Sequence, residues 1–253
     1  MDAQRRVVVT GSRGMAAGLI EALDRKGIST FVLGGEEADG RALMARAEHL
    51  VGFDPIDLRD EGVVEAGFQK AAETLGSITD VIAIAGGSGR SFGDAAIHEV
   101  SRDAWDKTLE LNLTTAFLTA REAIKIFMKN GGGSLILTGS VLAASPSPQF
   151  FRTHAYATAK AGIAGLTTAL AATYVDMKIR VNAIAPGLVA TPMAARAATN
   201  PEISEFTKLK QPLVEAQLRI SDLVAGYLFL LENQAITGQI LTIDGGWSTV
   251  SNI

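Results

Sequence analysis

The sequence predicts an α/β fold: a single domain built on one doubly wound parallel sheet of seven strands, with helices on both faces. Two observations carry this. Short β-branched runs alternate with longer stretches of helical periodicity, which is the pattern of a parallel sheet covered on both sides. The 253 residues are also 47% hydrophobic, enough for one large core, and hold no internal repeat or low-complexity tract, so residues 1–253 are read as one domain.

The first strand is expected at Arg6 to Thr10, around Val7-Val8-Val9, and the second at Thr30 to Leu33. Further strands are read at Leu50 to Phe53, Val81 to Ala85, Ser134 to Thr138, Arg180 to Ile184 and Gln239 to Ile243. Between them, 3.6-residue periodicity predicts helices at Gly14 to Lys26, Asp39 to Ala47, Asp60 to Leu75, Arg102 to Lys129, Ala155 to Met177 and Ile220 to Glu232. Three stretches fit neither pattern: Ser88 to Val100, Ala143 to His154, and Pro192 to Pro212, the last with room for short helices. Each follows a strand at the edge where such sheets bind ligands, so they are read as site-forming loops, with ordinary surface connection as the alternative.

Composition excludes several function classes. The net charge of −4, from 23 basic and 27 acidic residues without a long single-sign run, gives no surface for nucleic acid. There is no cysteine, hence no disulfide or thiolate, and His49, His98 and His154 are scattered without metal-ligand spacing. The start has too short an apolar stretch for a signal peptide, and the longest uncharged span, Ala161 to Val175, falls short of a bilayer crossing. No membrane partner is expected, and the location read from the sequence is cytoplasmic.

The first strand runs into Thr10-Gly11-Ser12-Arg13-Gly14-Met15-Ala16-Ala17-Gly18 and then a helix. Glycines placed there let the backbone turn sharply and approach a pyrophosphate, which amides at the helix N-terminus hold, as in a Rossmann unit. Later in the chain, Tyr156-Ala-Thr-Ala-Lys160 puts a tyrosine and a lysine four apart on one helical face. At roughly 5 Å and an effective dielectric of about 20, the ammonium favours the phenolate by about 3 kcal/mol, moving a pKa near ~10 down by about two units. Proton transfer near neutral pH then becomes feasible. The same spacing also describes a surface tyrosine beside a snorkelling lysine, so it needs its context.

That context is an ordered set of motifs: Thr10-Gly11, Asp57-Leu58 after the third strand, Ala85-Gly86 after the fourth, and Asn112 in the long helix. Ser140, Tyr156 and Lys160 follow, then Arg180-Val-Asn-Ala-Ile-Ala-Pro186-Gly187 with Val189 and Thr191, and Thr237-Gly238-Gln239 leading to Asp244-Gly245-Gly246. Together they resemble the short-chain dehydrogenase/reductase family over nearly the whole chain. The resemblance implies an NAD(P)-dependent oxidoreductase that moves a hydride between a nicotinamide and a secondary alcohol or ketone. Tyr156 would be the general acid/base, Ser140 would polarise the substrate oxygen, Lys160 would tune the tyrosine and bind the nicotinamide ribose, and Asn112 would hold a water linking the lysine to solvent. Cofactor contacts would come from Gly11, Ser12, Arg13, Gly14, Met15, Gly34, Asp57, Leu58, Ala85, Gly86, Pro186, Gly187, Val189 and Thr191, together with Tyr156 and Lys160. Residues 191–212 would form a substrate lid.

The sequence departs from the family pattern in three places. Its glycine turn is one residue shorter between the first two glycines, with Ala16 where a third glycine is usual. Ala83-Ile84-Ala85-Gly86 lacks the usual asparagines, and the gap from Ser140 to Tyr156 is longer. Gly34 stands where NAD-preferring members carry an acid, and Arg13 is available for a 2′-phosphate, which tips the cofactor towards NADP. Glu36 and Glu37 oppose it. For the substrate, Phe150, Phe151, Met193 and Phe206 can wall an apolar or ring-shaped molecule, with Arg152 and Arg196 close by, or else pack a loop or subunit interface. Small residues along Ala155 to Met177 and the Asp244-Gly-Gly tail imply a homotetramer by the same resemblance. Three other functions compete: a catalytically silent dinucleotide-binding sensor or scaffold on the same fold, an enoyl reductase, and a serine hydrolase. The family's enoyl reductases generally space tyrosine and lysine by more than four, and Gly139-Ser140-Val141 lacks a nucleophile elbow.

Overall fold

The computed structural model describes residues 5–250. Seven strands form one wholly parallel sheet in the order β3-β2-β1-β4-β5-β6-β7. They are β1 (Arg6–Thr10), β2 (Ser29–Leu33), β3 (Leu50–Asp54), β4 (Asp80–Ala83), β5 (Gly133–Thr138), β6 (Ile179–Pro186) and β7 (Ile240–Ile243). Each expected strand is present, displaced by one or two residues at most ends. β4 stops at Ala83, so Ala85 and Gly86 lie in the loop beyond it, and β6 continues to Pro186.

Alternate residues of a strand face opposite sides, so each strand feeds two cores. Val7 and Val9 of β1, with Val32, Ile82, Ile136 and Ile184, pack under α1 (Met15–Arg25) and α9 (Ile220–Glu232). Val8 faces the other way, with Phe31, Val81, Leu135 and Val181, onto α3 (Glu61–Leu75) and two later helices, α5 (Thr115–Asn130) and α6 (His154–Tyr174). Both faces being covered, residues such as Val7, Val8 and Val9 are all fully buried, which is why these strands read as unbroken apolar runs.

The remaining helices are α2 (Glu37–Met44), α4 (Arg102–Leu109), α7 (Ala195–Thr199) and α8 (Pro201–Lys210). The long helix expected over Arg102 to Lys129 is interrupted by one π-helical turn, Glu110–Thr114, between α4 and α5. That turn contains Asn112. In the stretch expected to hold short helices, α8 runs for ten residues, begun by the Asn200 side chain, which accepts from the Ile203 amide, with Pro201 in its first turn. Strand order reverses between β1 and β4, and the crevice at their C-terminal ends is where open α/β sheets take ligands.

Candidate active site

A cavity of about 840 Å³ opens at that crevice and runs from the β1–α1 turn to the start of α6. Its nucleotide end is made of backbone. Gly11 (φ 94°) and Gly14 (φ 56°) hold conformations that L side chains rarely adopt, and a Cβ on Gly14 would sit 3.2 Å from the Thr191 side chain across the cleft. α1 starts there with no side-chain cap and no acid in its first turn, leaving its N-terminal amides and positive dipole end for an anion. The Ser12 hydroxyl is buried without a hydrogen-bond partner, directly beneath Gly35, where a Cβ would clash with it. An orphaned hydroxyl, a glycine cradle and an uncapped helix end fit the ribose and pyrophosphate of a dinucleotide. Ala16 is buried beneath the turn and also lines the cavity, its methyl 3.6 Å from where a Cβ on Gly11 would sit.

Of the residues expected to hold a cofactor, Gly11, Ser12, Arg13, Gly14, Met15, Asp57, Leu58, Ala85, Gly86, Tyr156, Pro186, Gly187, Val189 and Thr191 all line this cavity. Gly34 does not. It turns away against Leu58 and the Ile56 carbonyl, and its neighbours Gly35 and Glu36 take the wall. Arg13 is ion-paired with Asp39, and Arg59, also on the wall, with Asp57.

At the other end, Ser140 and Tyr156 share the wall. The Ser140 hydroxyl accepts from the Leu142 amide at 3.2 Å, which leaves its own proton to be directed elsewhere. Tyr156 is held from a distance: the buried Asp94 carboxylate accepts the amides of Ala155 at 3.0 Å and Tyr156 at 2.9 Å, capping α6 from a loop more than sixty residues upstream. Sequence reasoning missed Asp94 because its partners are remote in the chain. It also passed over Arg90, Phe92 and Trp247 on the same wall.

Lys160 and Asn112 stand one layer behind. The lysine Nζ donates to the Thr138 carbonyl at 2.9 Å and lies 5.5 Å from the centre of the Tyr156 ring. It lies close behind the cavity-lining Gly86, where a Cβ would come within 3.5 Å of Nζ. Asn112 is fully buried and donates both amide protons, to the carbonyls of Gly87 at 2.9 Å and Thr108 at 3.0 Å, while accepting from the Gly87 amide. It thus clamps the loop after β4, and has no proton left to donate to a water.

The electrostatics correct one expectation. Against the expected lowering, burial is the largest influence and pushes Tyr156 up from its ordinary value, with offsets from the Ser140 hydroxyl and the charge of Arg90. Lys160 itself, desolvated, is lowered from 10.5 to about 8. Between those two values the unfolded chain holds more protons than the folded one. Stability owed to this residue therefore rises as pH goes from about 8 to 10.5, by at most about 3 kcal/mol, and is level outside that window. Compared with Lys160→Met, the wild type should gain stability across this range in urea unfolding. Parallel curves would reject it.

Aromatic rings close the substrate end. Phe206 of α8 meets Phe150 edge-on at 5.1 Å and Trp247 at 5.8 Å, and Phe151 packs on Trp247 at 5.6 Å. Trp247 is buried and donates from its indole to the Ser145 carbonyl. The stretch 191–212 is thereby tied to the C-terminal segment, and the Lys210 ammonium donates to the Val250 carbonyl. Among the described residues no helix is long and apolar enough to cross a membrane, and no group of three or more His, Cys, Asp or Glu side chains is placed to hold a metal.

The chain matches, over residues 9–248, the family model described as enoyl-(acyl carrier protein) reductase. It is 31% identical to cis-4-hydroxycyclohexanecarboxylate dehydrogenase of Sinomonas cyclohexanicum, over 98% of both chains. It is 32% identical to the probable galactose dehydrogenase GalD of Rhizobium meliloti, over 96% of this chain and 94% of that one. Among solved structures, it superposes on a short-chain type dehydrogenase/reductase from Mycobacterium ulcerans with a TM-score of 0.88 at 25% identity, covering 97% of this chain and 90% of the other. With this sheet order, glycine turn and cavity, the chain belongs to the short-chain dehydrogenase/reductase family of NAD(P)-dependent oxidoreductases.

Proposed function

We propose that this protein interconverts a secondary alcohol and a ketone, with Tyr156 as general acid/base. The observation that carries the reading is the pairing of the Ser140 hydroxyl and the Tyr156 phenol on one cavity wall, reached by the same space that the glycine turn opens at its other end. When bound, the nicotinamide supplies or takes up the hydride. Hydride addition puts negative charge on the substrate oxygen, and two fixed O–H donors aimed at that oxygen stabilise the transition state more than the ground state. Tyr156 then gives its proton to the oxygen. Ser140, anchored through Leu142, holds the oxygen in place. Lys160 keeps a positive charge behind Gly86, on the side where a nicotinamide ribose would lie.

Enoyl reduction is the second reading, favoured by the description of the matching family model. The four-residue spacing of Tyr156 and Lys160 speaks against it. The silent-sensor reading rests on the altered glycine turn and on the missing asparagines after β4, and the retention of Asn112, Ser140, Tyr156 and Lys160 together speaks against it. Nicotinamide absorbance on the purified protein, with alcohol and ketone panels beside Tyr156→Phe, tests the proposal. Turnover that the substitution abolishes supports it, whereas cofactor binding without turnover of any alcohol, ketone or enoyl compound favours the sensor.

For the cofactor we infer NADP, whose 2′-phosphate would take Arg13 from Asp39. Glu36, on the same wall, opposes this, so Glu36→Gln should lower the KM for NADPH several-fold and leave that for NADH nearly unchanged. A KM for NADH below that for NADPH in the wild type rejects the inference. The aromatic walls suit a ring-bearing substrate, as the hydroxycyclohexane relative's name also suggests. The family's homotetramer, a cytoplasmic location and a lid over residues 191–212 complete the proposal.

A further inference from the structure

Four arginines line the cavity, and they divide into two pairs. Arg13 and Arg59, at the nucleotide end, are each neutralised by a carboxylate, Asp39 and Asp57. Arg90, in the turn after β4, and Arg196, in α7, lie at the substrate end and are in none of the ion pairs found among the described residues. Instead their guanidinium groups converge on one neutral acceptor. Arg196 donates to the Phe150 carbonyl at 2.9 Å and Arg90 to the same oxygen at 3.4 Å. One carbonyl answers one N–H of each, and a guanidinium has five.

Asp94 is the acid on this side, and it is already bound by the amides of Ala155 and Tyr156. Partial burial and the neighbouring charge of Arg196 push Arg90 down from its ordinary range, offset in part by Asp94, and an anion between the two converging guanidinium groups would relieve their repulsion. Beside them the wall is apolar and aromatic, with Phe151, Trp247, Leu142 and Met193. Two forked donors next to an apolar chamber match an oxyanion on a hydrocarbon body.

We propose that Arg90 and Arg196 clamp an anionic head group, and that the substrate is a hydroxy or keto compound carrying a carboxylate or phosphate on an apolar, ring-sized body. The reacting carbinol rests on the oxidoreductase reading above, whereas the clamp does not. The competing role for both arginines is mechanical, bracing the Phe150–Phe151 loop, on which Arg90 also stacks at 5.6 Å from the Phe151 ring.

Calorimetry with unreactive probes separates these roles without needing turnover. Cyclohexanecarboxylate, cyclohexyl phosphate and neutral cyclohexanecarboxamide are titrated into the full chain, with either dinucleotide present. One or both anions should bind at least about tenfold more tightly than the amide, and the tighter one identifies the head group. Arg90→Gln and Arg196→Gln should each remove most of that advantage; both residues are exposed overall, the Arg90 guanidinium being only partly buried, so neither substitution opens the core. Anion and amide binding alike, no binding of any probe, or an advantage that survives both substitutions would overturn the clamp. So would an equal weakening of anion and amide, the signature of loop bracing. Anion selectivity lost in the variants, in a protein that reduces neither 4-oxocyclohexanecarboxylate nor its amide, would uphold the clamp and count against the oxidoreductase reading alone.

Discussion

Tyr156→Phe should lower kcat by about 10²–10⁴-fold, the usual contribution of a positioned acid/base, with the fold and cofactor affinity retained. Only one oxygen is removed, and the ring keeps its packing. At about 1.4 kcal/mol per tenfold, the phenol is being asked for roughly 3–5 kcal/mol of transition-state stabilisation. The direction of its pKa shift predicts an asymmetry. Because burial raises the phenol, it stays protonated at neutral pH and is ready to donate in ketone reduction. Oxidation needs the phenolate, so its rate should climb with pH from ~7 to ~10 while reduction stays level and then falls. Rate profiles in both directions test this, and an oxidation rate that is flat over that range would mean another group accepts the proton.

Asp94→Ala should cost both stability and turnover, although Asp94 is not among the residues that line the cavity. The buried carboxylate satisfies two amides at the N-terminus of the 21-residue helix α6, where its charge also meets the positive dipole end. Removing it leaves two N–H groups unpaired, one buried and one part-buried, at ~1–3 kcal/mol each, so a loss of about 2–6 kcal/mol is expected in urea unfolding. One of those amides belongs to Tyr156, so the catalytic ring loses its fixed origin and kcat should drop at least about tenfold. Asp94→Asn keeps acceptor oxygen but not charge, and should recover part of each loss. An alanine variant with normal kcat would show that α6 holds Tyr156 without help.

The sheet was legible in the sequence because its inner strands, β1, β2, β4, β5 and β6, are buried on both faces, so apolar runs such as Val7-Val8-Val9 and Leu135-Ile136-Leu137 stood out without ambiguity. The catalytic group was legible because Ser140, Tyr156 and Lys160 carry their meaning in local spacing. What local spacing cannot convey is which charges meet. The neutralisation of Arg13 by Asp39 spans 26 residues, the capping of α6 by Asp94 spans 61, and Arg196 reaches Phe150 across 46. The same limit explains why Lys160 was expected to tune the phenol: helical periodicity brings the two side chains together, but only the fold supplies the Thr138 carbonyl that takes the ammonium and the burial that dominates both groups. The π turn at Glu110–Thr114 is likewise invisible to a 3.6-residue pattern, yet it lies where Asn112 has to reach the loop after β4.

Trp247 gives the molecule an optical consequence. The chain has two tryptophans, and of these Trp247 borders the cavity while Trp105 lies on α4. Indole emission overlaps the absorption of a reduced nicotinamide, so a dinucleotide in this cavity should quench Trp247 by energy transfer and light up its own fluorescence. Trp105→Phe would leave a single emitter at the substrate end, able to report the arrival of cofactor and then of substrate in separate intensity steps, in real time and without a label.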